Sequence, residues 1–298
     1  MKRAVQAVAD VKSIKGKEME IRKLKQEEHI KTRKLWEAIF TEDTSEFLDY
    51  YYSVKTKENE IYVIEDEGKI VSMIHLNPYQ VRMGEKICQA HYIVAVATDA
   101  SYRRQGLMAR LLNHVMQIMA DRGEPFTFLM PAAEAIYKPF GFRYIYEQER
   151  GSFTGIKAED DNFEFLYAKE EDCFEMAAFA NEQLSKYDIV TWRTEGYYKM
   201  ILKEQISDRG GILLVKHHGK LAGVFCFTVD ENVEFREPLF CDEMIFRHAI
   251  YFLVGSDTKE VQCTGYGEER KSMIMAKILQ PNLVNDFEKI KVFLNEVV

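Results

Sequence analysis

The sequence predicts an α/β chain with a mixed (α+β) sheet, made of two similar units in tandem. Three observations predict it. A β-branched strand ending Val94-Ala95-Val96-Ala97-Thr98 runs through a polar turn into Arg103-Arg104-Gln105-Gly106, and a long amphipathic helix follows at once. The hairpin Ile61 to Ile70 aligns without gaps on Ile212 to Leu221, its apolar and polar positions coinciding at a constant offset of 151 residues (212 − 61). The chain has 298 residues, 47% of them apolar, enough for two domain cores.

Taken in order, residues 1–18 are Lys-rich and lack the apolar core and cleavage site of a signal peptide, so they read as a frayed or helical lead-in. Met19 to Lys25 alternates as a strand. Gln26 to Phe40 reads as a helix with Ile30, Leu35, Trp36 and Ile39 on one face, and Ser45 is placed to cap a second helix carrying Phe47, Leu48, Tyr51 and Tyr52. The first hairpin follows, then a separate strand Tyr79 to Met83, a turn at Gly84-Glu85 and the motif strand. Leu107, Leu111, Val115 and Ile118 or Met119 form the buried stripe of the next helix, which Gly123 ends. Pro125 to Met130 is a further strand.

The second unit repeats this order. Phe165 to Lys169 with the helix Asp172 to Leu184 parallels Met19 to Phe40, and Tyr197 to Leu202 parallels Phe47 to Tyr52. It has no strand followed by Arg-x-x-Gly and a long helix. The second copy therefore keeps the fold and lacks whatever that turn does. After Gln280-Pro281, Val284, Phe287, Ile290, Phe293 and Leu294 recur at threes and fours, which predicts a C-terminal helix docked on a domain face. The expected boundaries are 1–18 for the lead-in, 19–150 and 151–280 for the two units, and 281–298 for the helix.

The turn carries the chemistry. A helix start presents backbone N–H groups without intrahelical partners, and the macrodipole adds partial positive charge there. Gly106 lets a ligand approach the backbone while Arg103 and Arg104 supply cations. Together they make a pyrophosphate cradle. Neither the P-loop nor the dinucleotide glycine pattern is present. Downstream, Ile136-Tyr137-Lys138-Pro139-Phe140-Gly141-Phe142 closes the unit. That run, at that distance from the turn, resembles the acetyl-coenzyme A site of the GNAT superfamily of N-acetyltransferases. It is most similar to the tandem-GNAT branch typified by the enhanced-intracellular-survival acetyltransferases, over about residues 19 to 150.

The resemblance implies acetyl-CoA as co-substrate, with no metal. It implies that Val96, Ala97 and Thr98 line the acetyl and pantetheine end, and that Arg104, Gln105, Gly106, Leu107, Met108 and Ala109 surround the pyrophosphate. Met108 stands where many members have Gly or Ala. Ala132 and Ala133 contact the cofactor again, and Tyr137 is the general acid; as a bare residue it equally fits a core with Phe140 and Phe142. Trp36 and Phe40 are candidates for an acceptor pocket and fit an apolar helix face as well. The base stays open between Glu134, His91 and a water chain. The branch's terminal carboxylate is carried by a third, sterol-carrier-like domain, for which the tail ending at Val298 is too short.

A net charge of −8, from 48 acidic and 40 basic residues, argues against a nucleic-acid groove and favours a cationic small-molecule amine. Five scattered cysteines form no Cys-x-x-Cys pair, and the seven histidines show no metal spacing, His217-His218 reading as an exposed hairpin tip. No apolar run is long enough for a membrane span. The expectation is a cytoplasmic acetyltransferase that passes acetyl directly to an amine. The alternatives are a module that binds an acyl-CoA without consuming it, and a second unit serving homo-oligomer assembly.

Overall fold

The computed structural model describes residues 19–229, 231–284 and 286–295. The lead-in 1–18 and the terminal Val298 lie outside them. The first half contains β1 (Ile21–Lys23), α1 (Arg33–Ile39), α2 (Ser45–Ser53), β2 (Glu60–Asp66), β3 (Lys69–Met83), β4 (Lys86–Thr98), α3 (Leu107–Asp121), β5 (Phe126–Leu129), α4 (Glu134–Tyr137) and β6 (Arg143–Thr154). The second contains β7 (Phe163–Tyr167), α5 (Cys173–Gln183), β8 (Ile189–Thr191), α6 (Glu195–Ser207), β9 (Gly211–His217), β10 (Lys220–Val229), β11 (Val233–Phe240), α7 (Glu243–Val254), β12 (Glu260–Thr264), β13 (Glu269–Ile278) and β14 (Val292–Phe293).

All these strands share one mixed sheet, ordered β1-β2-β3-β4-β5-β13-β6-β12-β11-β10-β9-β7, with β8 paired to β3 and to β14. Read from either edge, the order is the same. Each half lays down five strands, and the sixth position is then filled by a strand from the other half. β13 pairs with β5 from Met275–Leu129 to Ile278–Phe126, and β6 pairs with β12 from Glu260–Thr154 to Thr264–Arg150. β6 and β13 also pair with one another, so the exchange closes the sheet across the middle.

The internal repeat is exact at the hairpin: β2 plus 151 residues gives β9, and β3 and β10 start at Lys69 and Lys220. The helices before each hairpin are capped alike, Thr44 accepting from the Phe47 N–H (3.1 Å) and Thr194 from the Tyr197 N–H (3.0 Å). Thr44, not Ser45, is thus the cap of α2. α3 lies against one face of the first half with Leu107, Leu111, Leu112, Val115 and Met119 buried, while α1 and α2 cover the opposite face through Leu35, Trp36, Leu48 and Tyr51. Burying each such side chain is worth about 1.5–3 kcal/mol.

Three expectations need correcting. Residues 26–40 are a 3-10 segment, Gln26–Thr32, followed by α1, and Ile30 is exposed while His29 and Thr32 are buried. The strand Tyr79 to Met83 is the far end of the 15-residue β3. Among the described residues of 283–295, no helix forms. Val284, Phe287, Phe293 and Leu294 are buried as the spacing suggested, but from an irregular segment ending in β14, parallel to β8. Phe287 meets Phe126, and Phe293 meets Tyr146 and Tyr187. A chain threading over a curved core can present the same apolar spacing as a helix.

His75, fully buried on β3, accepts or donates at Nδ1 with the Tyr51 hydroxyl (3.1 Å) and packs edge-on to Trp36. Burial pushes its pKa down to about 3. The unfolded chain binds this proton below about pH 6.5 and the folded chain does not, so stability falls as pH drops from there toward 3. The slope from this residue is about 1.4 kcal/mol per pH unit. His75→Gln is expected to flatten the dependence of Tm on pH in that window; an unchanged slope would reject the assignment.

Candidate functional site

β4 and β5 pair in parallel at one position, Tyr92 with Phe128, and diverge beyond it. On its other edge β4 stays paired to β3, with a bulge between Met73 and His75 where Ala95 takes a left-handed φ of +51°. An L-residue there costs about 1 kcal/mol, and such strain concentrates at functional positions. The edge of β4 facing β5 is therefore bare of strand partners from Ile93 to Thr98. On the β3 side Ser72 donates to the Ala97 carbonyl (3.1 Å) and meets the Thr98 hydroxyl (2.9 Å), which fixes the strand end.

The turn after β4 is pinned to the first hairpin. Asp99 pairs with Lys69 (2.6 Å) and accepts from the Ser101 N–H (3.0 Å), contacts that hold its carboxyl near 2; Tyr102 donates to Asp66 (2.7 Å). Arg104 and Gly106 both have left-handed backbone, φ +63° and +77°. Gly106 is the N-cap of α3 and supplies no side chain to it. The first intrahelical bond runs from Arg110 to the Gly106 carbonyl (3.0 Å), leaving the amides of Leu107, Met108 and Ala109 without helical partners. Among the described residues neither Arg103 nor Arg104 has an ion pair; Arg103 donates to the Thr98 carbonyl (3.3 Å) and Arg104 is exposed.. Left-handed positions on either side of Gln105, amides without helical partners and two guanidiniums without ion pairs make an anion site that suits a diphosphate.

Tyr137 ends α4 and is buried in the cluster that contains Leu107, Leu111 and Phe142, against which Val96 and Met108 also pack. The fold thus brings the motif strand, the start of α3 and Tyr137 together. Its ring meets Phe142 edge-on at 5.9 Å, and among the described residues its hydroxyl has no hydrogen-bond partner. Burial raises its pKa to about 12. Ala132 and Ala133 are exposed in the loop before α4. Trp36 and Phe40 lie on the other face of the sheet, in the cluster that holds Ala95 and Ala97; the Trp36 indole donates to Asp43 (2.6 Å) and its ring packs on Tyr51.

Of the candidates for the base, the two side chains are both engaged, and the water chain is left. His91 is buried with Nδ1 2.8 Å from Glu124, and Gln89 reaches its Nε2 (3.3 Å). Glu134 is exposed and paired with Lys138 (3.1 Å). Sequence spacing also hid one cluster: Asp160 joins His217 and His218 at the β9–β10 turn, with their ligand atoms within 4.8 Å of one another.

The second half keeps the bulge and loses the cradle. Glu237, at φ +47° between Val224 and Cys226 of β10, repeats the geometry of Ala95. Only Cys241 and Asp242 separate β11 from α7, and the Asp242 carboxylate accepts from the Met244 N–H (2.8 Å). An acidic cap there satisfies an amide and repels an anionic ligand.

Residues 20–145 match the family model described as acetyltransferase (GNAT) domain. This stretch is a GNAT acetyltransferase domain. No curated protein sequence matches the chain. Among solved structures, a probable N-acyltransferase from Enterococcus faecalis is 15% identical with a TM-score of 0.75, over 90% of this chain and 74% of its own. Eis1 from Mycobacterium abscessus is 12% identical with a TM-score of 0.63, over 88% and 74%. A tandem GNAT protein from the clavulanic acid biosynthesis pathway is 10% identical with a TM-score of 0.57, over 89% and 99%. The fold is therefore the tandem GNAT fold. No helix among the described residues is long and apolar enough to cross a membrane.

Proposed function

We propose that this GNAT acetyltransferase binds acetyl-coenzyme A in its first half and transfers acetyl directly to the primary amine of a small cationic molecule. The observation that carries the reading is the uncapped start of α3 beside the bare edge of β4. The amides of Leu107 to Ala109, with Arg103 and Arg104, hold the diphosphate. The thioester supplies the acetyl group and a thiolate leaving group. Of the N–H groups from Val96 to Thr98, those that face β5 have no strand partner there and stabilise negative charge developing on the carbonyl oxygen. Tyr137, protonated at neutral pH because burial holds its pKa near 12, gives its proton to the departing sulfur. With His91 and Glu134 both engaged, the proton lost by the amine is assigned to water.

The same engagement of both side-chain bases favours a second reading, a domain that senses an acyl-coenzyme A and leaves it intact. Thiol release measured across a panel of amines separates the two: release above the amine-free rate with any amine supports transfer, and none with all of them supports sensing. Since Asp242 caps α7, calorimetry is expected to give one acetyl-coenzyme A per chain; a stoichiometry of two would overturn the loss of the second cradle.

A further inference from the structure

A cavity of about 560 Å³ lies where the halves meet, walled by α6, β10, β11 and the Glu42–Phe47 segment. No residue assigned above to the cofactor, to Tyr137 or to the Trp36–Phe40 pocket lines it. By the 151-residue offset, Val224 and Cys226 of its wall correspond to Met73 and His75. In the first half that space is filled by the rings of Trp36, Tyr51 and His75, packed 4.6–5.8 Å apart. The second half has no tryptophan on α5 to do the same, and its bulge faces a hollow.

Among the described residues, the buried side-chain atom on this hollow's wall that lacks a partner is an acceptor. Gln205 is only 4% exposed, and its Oε1 has no hydrogen-bond partner among the described residues. Glu204 accepts from the Tyr50 hydroxyl (3.2 Å) on Oε2, and Asp43 accepts from the Trp36 indole on Oδ2. Six carboxylates line the cavity against three guanidiniums. Arg236 is committed to Asp208 (2.8 Å) and reaches Glu234 (3.9 Å), Glu237 pairs with Arg193, and the buried Lys55 ammonium favours the charged form of Glu204, which leaves Glu42 and Asp43 without a matched cation; Arg209 is exposed, and Arg150 donates to Gln148 and borders a neighbouring surface hollow as well. Burial raises the carboxyls of Asp43 and Glu204, opposed by the Trp36 indole at the first and by the Lys55 charge at the second, with Glu42 and Asp208 adding to the rise at Asp43. Between these acidic ends the wall is apolar, from Phe47, Ile201 and Val224. A buried acceptor without a donor, set beside carboxylates, calls for a ligand that donates.

We propose that this cavity binds a linear organic polyamine, with one ammonium on Asp43, another on Glu204 and Gln205, and its methylenes on Phe47, Ile201 and Val224, at a site separate from the thioester. The test is a calorimetric titration of the full chain with spermidine, without acetyl-coenzyme A. Saturable binding is expected, weakened at least about tenfold by Asp43→Asn and by Glu204→Gln, and blocked by Ile201→Trp, which fills the hollow without altering a charge. The three positions lie on two separate elements, so any variant that keeps the wild-type circular dichroism spectrum decides the matter. Gly106→Val, at the cradle, should bind spermidine as wild type does. Absence of saturable binding, binding that folded variants leave unmoved, or loss in Gly106→Val would each overturn the proposal. None of these outcomes depends on acetyl transfer being detected.

Discussion

Gly106→Val is expected to lower the affinity for acetyl-coenzyme A at least about tenfold, a loss of some 1.4 kcal/mol or more of binding free energy. Gly106 sits at φ +77° as the N-cap of α3. A β-branched residue in the left-handed region costs about 1–2 kcal/mol, so the turn relaxes and the amides behind it no longer converge. A side chain also enters the space a diphosphate would occupy. The helix itself survives, because Leu111, Leu112, Val115 and Met119 anchor it far from the turn. Titration calorimetry checks this directly. Wild-type affinity in the folded variant would mean that the diphosphate is held elsewhere.

Tyr137→Phe is expected to reduce kcat about 10²-fold while leaving the dissociation constant for acetyl-coenzyme A unchanged. The substitution keeps the ring and its contact with Phe142. It removes a hydroxyl that bonds to no described residue, so no partner is stranded and Tm should stay within about a degree or two. A proton donor whose pKa is near 12 stays charged with its proton across the working range, so the wild type should show no alkaline loss of activity from this group below about pH 10. If turnover is unchanged in the phenylalanine variant, the sulfur takes its proton from solvent.

The parts of this molecule that could be read in its sequence are those set by local chemistry. The Arg103 to Gly106 turn needs a glycine because its backbone is left-handed, and α3 shows its stripe because one face is buried. The hairpin repeat was legible because β2 and β9 solve the same packing problem with the same alternation. What was illegible depends on distant partners. His91 looks like a free base until Glu124, 33 residues on, closes over it. The tail from Val284 to Leu294 has helical spacing, yet β8 offers it a backbone edge and Phe126 and Tyr146 offer it rings. The bulges at Ala95 and Glu237 carry no glycine, so nothing in the residue types announces them.

The trade of β6 for β13 has a consequence during synthesis. On the ribosome, β5 emerges with one flank uncovered, and its neighbour lies nearly 150 residues downstream, at Glu269–Ile278. The first half cannot finish its sheet until Glu269–Ile278 has been made. Fragments cut near residue 150 would each present raw backbone to whatever strand came near. The strand exchange makes two halves that mature only together, and a nascent chain of this kind has reason to be shielded until β13 has emerged.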